Sequence, residues 1–317
     1  MKKIVYISLA ILAAASCRSR AVDVDAPQRS ILLTPSVEDT KSLHITTANI
    51  DDVEVQVFRT GTENHYFTDV AKRREDGLLA FSGPRYWLSG AALDFYAVTR
   101  SESIGNVGVS GGAIEFDYDA ADGEADIVTA TANNLQYTKD NKGVVSMRFR
   151  HALSLVEFAV AYELDADGNK VSKILDGIYF TGLALNGMAA SGHCSVQNGV
   201  ASWSCGDAQE WTERDFTSDG TEGLYVGRDI FAGDFINSTD RSKSFIVIPG
   251  QTLSKVRISF VEGRPQPYEQ VLDIPPTLIE PGKCYVFDLA IKSNFVSLTG
   301  TRITPWVSGD SQEIMMQ

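Results

Sequence analysis

Three groups of residues have types and spacings that could support chemistry, and the first is a serine in a glycine-rich run. Residues 108–112 (GVSGG) match the G-x-S-x-G pattern of a hydrolase nucleophile elbow. That motif requires a buried strand before the serine and a helix after it. Here a polar segment precedes Ser110, and an alternating run that is typical of a strand follows it. We therefore interpret the run as a glycine-rich loop between two strands.

The second group consists of acidic residues, which concentrate between positions 117 and 126 and at Asp165 and Asp167. Neither cluster has the EF-hand spacing, which needs glycine at position six of the loop, and we interpret both as solvated turns. The sequence contains no H-E-x-x-H, C-x-x-C or phosphate-binding glycine loop. We expect His151 to make an orienting hydrogen bond rather than to catalyse. We predict no catalytic residue, no metal site and no cofactor, and therefore a protein that is not an enzyme.

The third group is a pair of cysteines, Cys194 and Cys205, which flank the dipeptide Asn198-Gly199. This dipeptide is a strong hairpin signal, because a type I′ turn needs positive φ at both central residues. A two-residue loop places Cys194 opposite Trp203. It places Cys205 opposite Gly192, so the two thiols are diagonal and a disulfide would need a bulge or a slip of register. Since an exported protein meets oxidising conditions, a disulfide and two free thiols both stay open.

The first sixteen residues have the pattern of an export signal, with Lys2 and Lys3 before an apolar run. The run is too short for a permanent membrane helix, which needs about 20 residues. Small residues lead directly into Cys17, and this order resembles a bacterial lipobox, in which the cysteine is diacylated and begins the mature chain. The alternative is a plain signal peptide with an incidental cysteine. Lipidation would anchor the protein stably, and residues 17–30 are predicted to form a flexible tether.

The charge balance excludes one class of partner. The chain has 41 acidic and 28 basic residues, a net charge of −13. Removal of the leader with its two lysines leaves 26 basic against 41 acidic residues, a net charge of −15. Such a surface repels the polyanionic backbone of DNA and RNA. We therefore predict no nucleic-acid partner.

The elements that must position these residues are strands. From Ser30 onward, short runs rich in Val, Ile, Phe, Tyr and Thr are interrupted every few residues by Gly, Asn, Asp or Pro. This pattern predicts an all-β fold of antiparallel sandwiches. Helical signals are confined to residues 69–75 and 154–160. The polar stretch 137–143 is the predicted boundary between an N-terminal domain, residues 31–142, and a C-terminal domain, residues 143–317.

Several stretches together resemble the fimbrillin family of Bacteroides-type bacteria. Residues 86–97 (YWLSGAALDFYA) resemble its "W, short turn, L-x-F-Y-A" segment. Residues 126–130 (DIVTA) followed by 147–156 (MRFRHALSLV) resemble its "D-(I/L)-(V/M)-x-A … F-x-H-A-L-S" signature. Residues 281–287 (PGKCYVF) and 303–306 (ITPW) resemble its "G-K-x-Y" strand and its near-terminal "I-T-x-W". The match covers nearly the whole chain in the family's order.

The resemblance implies two transthyretin-like, Greek-key β-sandwich domains and export as an outer-membrane lipoprotein exposed at the cell surface or in a fimbria. It implies a subunit or accessory protein of a type V fimbria, with other fimbrial subunits as partners and a host or bacterial surface receptor as a further one. In the family, an arginine-specific protease removes an N-terminal strand, and the opened groove accepts a strand of the next subunit. The C-terminal run 293–307 is a candidate for the donated strand, or is the last strand of its own domain.

One departure from the family concerns the processing site. Thr40-Lys41-Ser42 stands where relatives often have T-R-A, so Arg29 or Arg59 would have to serve as the cleaved residue. The missing arginine favours a tip, anchor or accessory protein over a main stalk subunit.

The alternative function is that of a monomeric, glycan-binding outer-membrane lipoprotein. It would use exposed aromatic rings, for which Trp87, Trp203, Trp211 and Trp306 are the candidates. Trp87 and Trp306 fall in strand-like segments and are expected in the core. Two or more exposed, coplanar rings on one face would favour this alternative.

Overall fold

The computed structural model describes residues 30–37, 45–122, 124–162, 178–217, 223–225, 244–262, 268–292 and 295–306. The predictions for Cys17, Arg29, Asp165 and Asp167 lie outside these residues. The described part forms twenty strands and one 3-10 helix, Ala120–Asp122. The strands are β1 (Leu32–Val37), β2 (Val53–Arg59), β3 (His65–Arg73), β4 (Leu79–Phe81), β5 (Leu93–Thr99), β6 (Ile104–Ser110), β7 (Ala113–Asp119), β8 (Val128–Leu135), β9 (Val144–His151), β10 (Ser154–Tyr162), β11 (Ile178–Asn186), β12 (Ser191–Gln197), β13 (Val200–Cys205), β14 (Trp211–Asp215), β15 (Leu224–Tyr225), β16 (Phe245–Val247), β17 (Thr252–Glu262), β18 (Tyr268–Leu278), β19 (Lys283–Lys292) and β20 (Phe295–Pro305).

The N-terminal unit is a closed barrel of seven strands in the order β1-β4-β3-β2-β5-β8-β9. Alternation of side chains drives its formation: β2 (VEVQVFR) turns its three valines inward and its polar residues outward. Inward residues of all seven strands form one apolar core, which includes Leu33, Val55, Phe95 and Phe149. The barrel closes because β1 and β9 pair in parallel, so no edge remains between its first and last strands.

The C-terminal unit contains two sheets, in the orders β16-β10-β19-β20 and β14-β11-β17-β18, with β15 also paired to β11. Their inward faces share a core of aliphatic and aromatic residues that includes Phe158, Phe180, Phe245 and Phe287. Strands β10 and β19 are parallel over eight register pairs. Within the predicted run 293–307, the described residues Phe295–Pro305 form β20, which is antiparallel to β19. In this structure the C-terminal run is therefore the last strand of its own unit.

A fourth sheet, β13-β12-β7-β6, joins the two units. Strand β7 from the first half of the chain pairs with β12 from the second half along its whole length. A third core packs beneath this sheet and contains Val98 and Phe116 beside Leu155 and Trp306. Arg214 also forms an ion pair with Glu124 across the junction. The two units therefore share a sheet and a core.

The all-β class is confirmed, with three differences from the sequence prediction. The boundary at 142/143 is wrong, because β9 (Val144–His151) completes the N-terminal barrel and residues 136–143 are its connection to β8. The predicted short helices at 69–75 and 154–160 lie mainly in β3 and β10. Two strand pairs, β1–β9 and β10–β19, are parallel rather than antiparallel. Among the described residues, no helix has the length and apolar character needed to cross a membrane.

Candidate assembly interface

Strand β1 closes the barrel, but it is held unequally on its two sides. It pairs with β9 over six residues, from Leu32 to Val37. Its ladder with β4 has one register pair, Leu33 with Leu79. Pro35 lies in the middle of β1 and has no N–H to donate, so this strand cannot complete a ladder on both sides. Strand β1 is thus fixed mainly by one neighbour and by its inward side chains.

The inward face of β1 fills a groove between β4 and β9. Ile31, Leu33 and Val37 are at most 3% exposed, and Pro35 is also buried. Thr34 and Ser36 between them point to solvent. Burying side chains of this size stabilises a protein by roughly 1.5–3 kcal/mol each. If β1 were withdrawn, a continuous apolar groove would face water.

The entry to β1 is held by backbone contacts at Gly143. Ile31 N–H donates to Arg85 O at 2.7 Å, and Leu32 N–H donates to Gly143 O at 3.2 Å. Trp87 Nε1 donates to the same Gly143 oxygen at 3.2 Å. Gly143 has φ of +85°, and a Cβ there would lie 2.4 Å from Ser30 O. The close approach of β1 therefore requires glycine at this position.

The exit of β1 is held by one hydroxyl group. Val37 N–H donates to Thr47 Oγ1 at 2.8 Å, and Thr47 Oγ1 lies 3.2 Å from Val37 O. Two positions earlier, Ile45 N–H donates to Asp126 Oδ2 at 3.0 Å. The segment that follows β1 is thereby attached to Asp126.

Asp126 belongs to a buried cluster in which residues of two of the resembling motifs meet: Asp126 and His151 of the signature, and Trp306 of the I-T-x-W segment. Its Oδ1 lies 2.8 Å from His151 Nδ1. The His151 ring stacks on Trp306, with centroids 4.2 Å apart. The expected orienting hydrogen bond of His151 is confirmed. Since the His151 and Asp126 side chains are 1% and 4% exposed, they position the junction and cannot reach a substrate.

Replacing Asp126 by asparagine is expected to lower the free energy of unfolding by about 1–3 kcal/mol. The carboxylate accepts from Ile45 N–H with one oxygen and contacts His151 with the other. An amide has one carbonyl oxygen, so its NH2 group must face one of these two partners. Urea unfolding would measure the loss. The control Asp140→Asn changes an exposed residue and should have an effect within about 0.5 kcal/mol; equal effects of the two variants would contradict a structural role for the cluster.

The two arginines that the sequence offers for processing do not release β1 alone. Arg59 is the exposed last residue of β2, so a cut after it would remove β2 together with β1. Arg29 precedes β1, so a cut after it would leave β1 attached. A cut between Val37 and Ile45 separates β1 from the rest of the barrel. The basic residue of the Lys or Arg type in that interval is Lys41.

Ser110 lies in a hairpin, as the sequence predicts. It ends β6, and Gly111 and Gly112 form the turn to β7 with φ of +57° and +81°. No helix follows it, since residues 113–119 form a strand. The nucleophile-elbow interpretation is therefore excluded by the local fold.

The hairpin of Cys194 and Cys205 has the predicted register. Cys194 is opposite Trp203, and Gly192 is opposite Cys205. Asn198 and Gly199 have φ of +53° and +76°. Both thiols are free, so the disulfide alternative is not realised in this structure; the ladder has neither the bulge nor the slip that the bond would need.

Alkylation of the folded protein at pH 8 is expected to modify Cys205 before Cys194. Burial raises the pKa of both thiols, and the thiolate is the reactive form. Cys194 is fully buried, whereas Cys205 is half-buried and its Sγ contacts Pro249 O at 3.4 Å. Peptide mass spectrometry after iodoacetamide treatment would measure the order. Resistance of both thiols after unfolding without reductant would indicate the disulfide instead.

The four tryptophans do not form an exposed platform. Trp87 and Trp306 are 7% and 3% exposed. Trp203 packs edge-on against Phe116 and donates from Nε1 to Ala152 O at 2.8 Å. The Arg257 guanidinium lies 4.7 Å from the centroid of the Trp211 ring. The coplanar, exposed rings that the glycan alternative anticipated are absent among these residues.

The strand-like pattern from Ser30 onward includes β1, but it does not indicate the groups that hold this strand. Gly143 ends the polar stretch 137–143, which is the predicted domain boundary, and Thr47 lies in a segment without periodicity. A glycine directly before an alternating run is the one local signal for the contact at Gly143. Nothing local points to Thr47, because its partner Val37 is brought there by the closure of the barrel.

Comparisons with known proteins agree with this fold. The family model described as "Fimbrillin-like" matches residues 38–306. A proposed cell adhesion protein from Bacteroides ovatus is similar in structure, with 15% identity, a TM-score of 0.55, and coverage of 90% of this chain and 100% of the other. A second one, from Bacteroides uniformis, has 13% identity, a TM-score of 0.54, and coverage of 88% and 97%. A search of curated sequences finds no match.

The match to the family model extends over most of the chain. It covers well over half of the chain, beginning at the residue after β1 and ending at Trp306. It includes the motif residues Asp126 and His151, which meet in the buried cluster. The chain belongs to the fimbrillin-like family.

Proposed function

We propose that this protein is a surface lipoprotein that serves as a structural or accessory subunit of a type V fimbria, joins other subunits by strand exchange, and contributes to adhesion. Membership of the fimbrillin-like family supports a fimbrial role. The observation that carries the strand-exchange mechanism is the one-sided pairing of β1 in an apolar groove.

Strand addition explains why such a groove would serve assembly. Withdrawing β1 would leave the backbone of β9 and the side-chain sites of Leu33 and Val37 without partners. An incoming strand with the same alternation satisfies the hydrogen bonds and the apolar sites together. The donor would be a segment of another fimbrial subunit.

The position of this subunit in the fibre follows from whether β1 is kept. A chain that retains β1 has an occupied groove, so it can end a fibre but cannot accept a further strand. Lys41 stands in the interval where a cut would release β1 alone, and it would not be recognised by an arginine-specific protease. This supports a role at the tip or the anchor.

The N-terminal sequence supports a proposal for the location of the protein. We propose that Cys17 is lipidated and that residues 17–30 tether the folded units to the outer membrane, with the protein exposed at the cell surface or in the fimbria. The Bacteroides ovatus and Bacteroides uniformis proteins are described as proposed cell adhesion proteins, which is consistent with a surface receptor as a further partner.

Mass spectrometry of protein recovered from purified fimbriae tests this proposal. We expect a diacylated N-terminus at Cys17, with residues 30–37 still attached, and gold-labelled antibody at fibre ends.

A Cys17→Ser variant should lose the lipid and the attachment to membranes. A Lys41→Arg variant should be cut after position 41 by the arginine-specific protease and appear along the shaft, with Lys41→Ala as the uncut control. A chain that is never lipidated and never found in fibres would contradict the proposal.

A further inference from the structure

A groove with a cavity volume of about 710 Å³ crosses the outer face of the sheet β14-β11-β17-β18. Its floor consists of small residues, Gly182, Ala184 and Ser259. Because these side chains are short, the larger ones on the flanking strands stand up as walls. A volume of this size is in the range of small-molecule sites.

The walls are polar, and their central arginine, Arg257, is held by its neighbours. Glu213, Ala184 and Arg257 are direct cross-strand neighbours. The small side chain of Ala184 lets Arg257 reach across β11 and form an ion pair with Glu213. The guanidinium also lies 4.7 Å from the centroid of the Trp211 ring. Arg257 is therefore oriented on two sides before any ligand arrives.

On its third side Arg257 forms a longer ion pair with Glu269. Arg257 Nη1 and Glu269 Oε2 are 3.7 Å apart, which is too far for a hydrogen bond. A ligand hydroxyl placed beside this pair can accept from Nη1 and donate to Oε2 at the same time. Glu213 and Glu269 are 62% and 55% exposed, so further acceptor oxygens face the open groove.

The charge of the groove narrows the ligand class. Glu213, Asp215 and Glu269 line it against Arg257. Arg214 also contributes to the lining, but its guanidinium pairs with Glu124 and lies over Phe245 in the core. The excess of carboxylates disfavours phosphate and other anions. Both glutamates are already in ion pairs with Arg257, so a cation would have to compete with its guanidinium for them. Neutral groups that donate and accept hydrogen bonds remain.

We propose that this groove binds a neutral saccharide. One sugar hydroxyl would bridge Arg257 and Glu269, and the adjacent hydroxyl would donate a hydrogen bond to Glu213. The ligand class is inferred from the donor and acceptor groups rather than from exposed tryptophans. The site does not depend on strand exchange, because it lies on a different sheet from β1.

The test uses the full mature chain and an array of neutral hexoses, N-acetylhexosamines and deoxyhexoses, with sialic acid and spermidine as charged comparisons. We expect binding of at least one neutral sugar at roughly millimolar concentration or tighter, with a change in tryptophan fluorescence because Trp211 lies beneath Arg257. Glu269→Gln should weaken binding about tenfold, and Ser259→Leu should abolish it by filling the floor. Asp273→Asn, on the same strand as Glu269 but outside the groove, is the matched control.

Thermal unfolding would confirm that each variant is folded, and Glu269→Gln alone decides the question if Ser259→Leu does not fold. Preference for spermidine or sialic acid would overturn the proposal. So would the absence of neutral-sugar binding at about 10 mM, or binding that neither groove variant changes. None of these results bears on fimbrial assembly, so failure here and failure of the fimbrial role are distinguishable.

Discussion

Replacing Leu33 by aspartate is expected to lower the free energy of unfolding of the barrel by about 4 kcal/mol or more. Leu33 is fully buried and lies between Val145 on β9 and Leu79 on β4. The variant would lose apolar burial and would also bury a carboxylate among the apolar side chains of the barrel core. Guanidinium unfolding followed by tryptophan fluorescence would measure the change, and the released groove should bind a hydrophobic dye.

The matched control is Thr34→Asp, one residue along the same strand. Thr34 points to solvent, so the same added charge should alter stability by about 0.5 kcal/mol or less. A large effect of both variants would mean that strand conformation, rather than the inward face, holds β1. Equal and small effects would contradict its placement in the core.

A second large effect is expected from Gly143→Ala, which should cost about 3 kcal/mol of stability. The residue has positive φ, and the new Cβ would lie 2.4 Å from Ser30 O. Since the atom in the way is backbone, the start of β1 must move and the hydrogen bond from Leu32 N–H to Gly143 O would be strained. The measurement is the midpoint of denaturant unfolding together with protease sensitivity of the N-terminus.

Gly61→Ala separates the two causes of that cost. Gly61 has a similar φ of +72°, but a Cβ there meets nothing within 4 Å. It should therefore show the backbone penalty alone, about 1–2 kcal/mol. If both variants lowered the free energy of unfolding equally, the close contact between Gly143 and β1 would make no contribution to stability.

Local features of the fold were predictable because local chemistry decides them. The hairpin of β12 and β13 follows from Asn198-Gly199, which adopts the positive φ pair that its turn requires. The register of Cys194 with Trp203 then follows from the two-residue loop. Buried strands such as β2 were visible in their alternation. Each of these signals lies within a few residues of the element that it predicts.

Partners that are distant in the chain could not be predicted in this way. Six alternating residues in β1 do not say whether they pair with β2 or, in parallel, with β9. The pairing of β7 with β12 crosses the predicted domain boundary, because both strands bury residues such as Phe116 and Cys194 in a shared core. The predicted boundary at 142/143 differs from the structure because a polar loop between two barrel strands has the composition of a linker.

The candidate sites also depend on contacts between residues that are distant in the chain, which the sequence does not reveal. Asp126, His151 and Trp306 were noticed one by one through the family resemblance, and only the fold shows that they meet. Nothing in the sequence points to the groove for which saccharide binding is proposed. Glu213, Arg257 and Glu269 are separated by many residues and have no motif, so the sheet order alone brings them together.

The central claim is that β1 is a replaceable strand in an acceptor groove. The most direct measurement places the recognition site of a sequence-specific protease between Val37 and Ile45, cuts the folded chain, and adds a fluorescent peptide with the sequence of residues 30–37. We expect the label to elute with the cut chain in size-exclusion chromatography at one peptide per chain. The uncut chain should take up none, and a peptide with aspartate in place of Leu33 should not compete. A cut chain that unfolds irreversibly, or one that keeps its own strand and excludes the labelled peptide at every concentration, would contradict it.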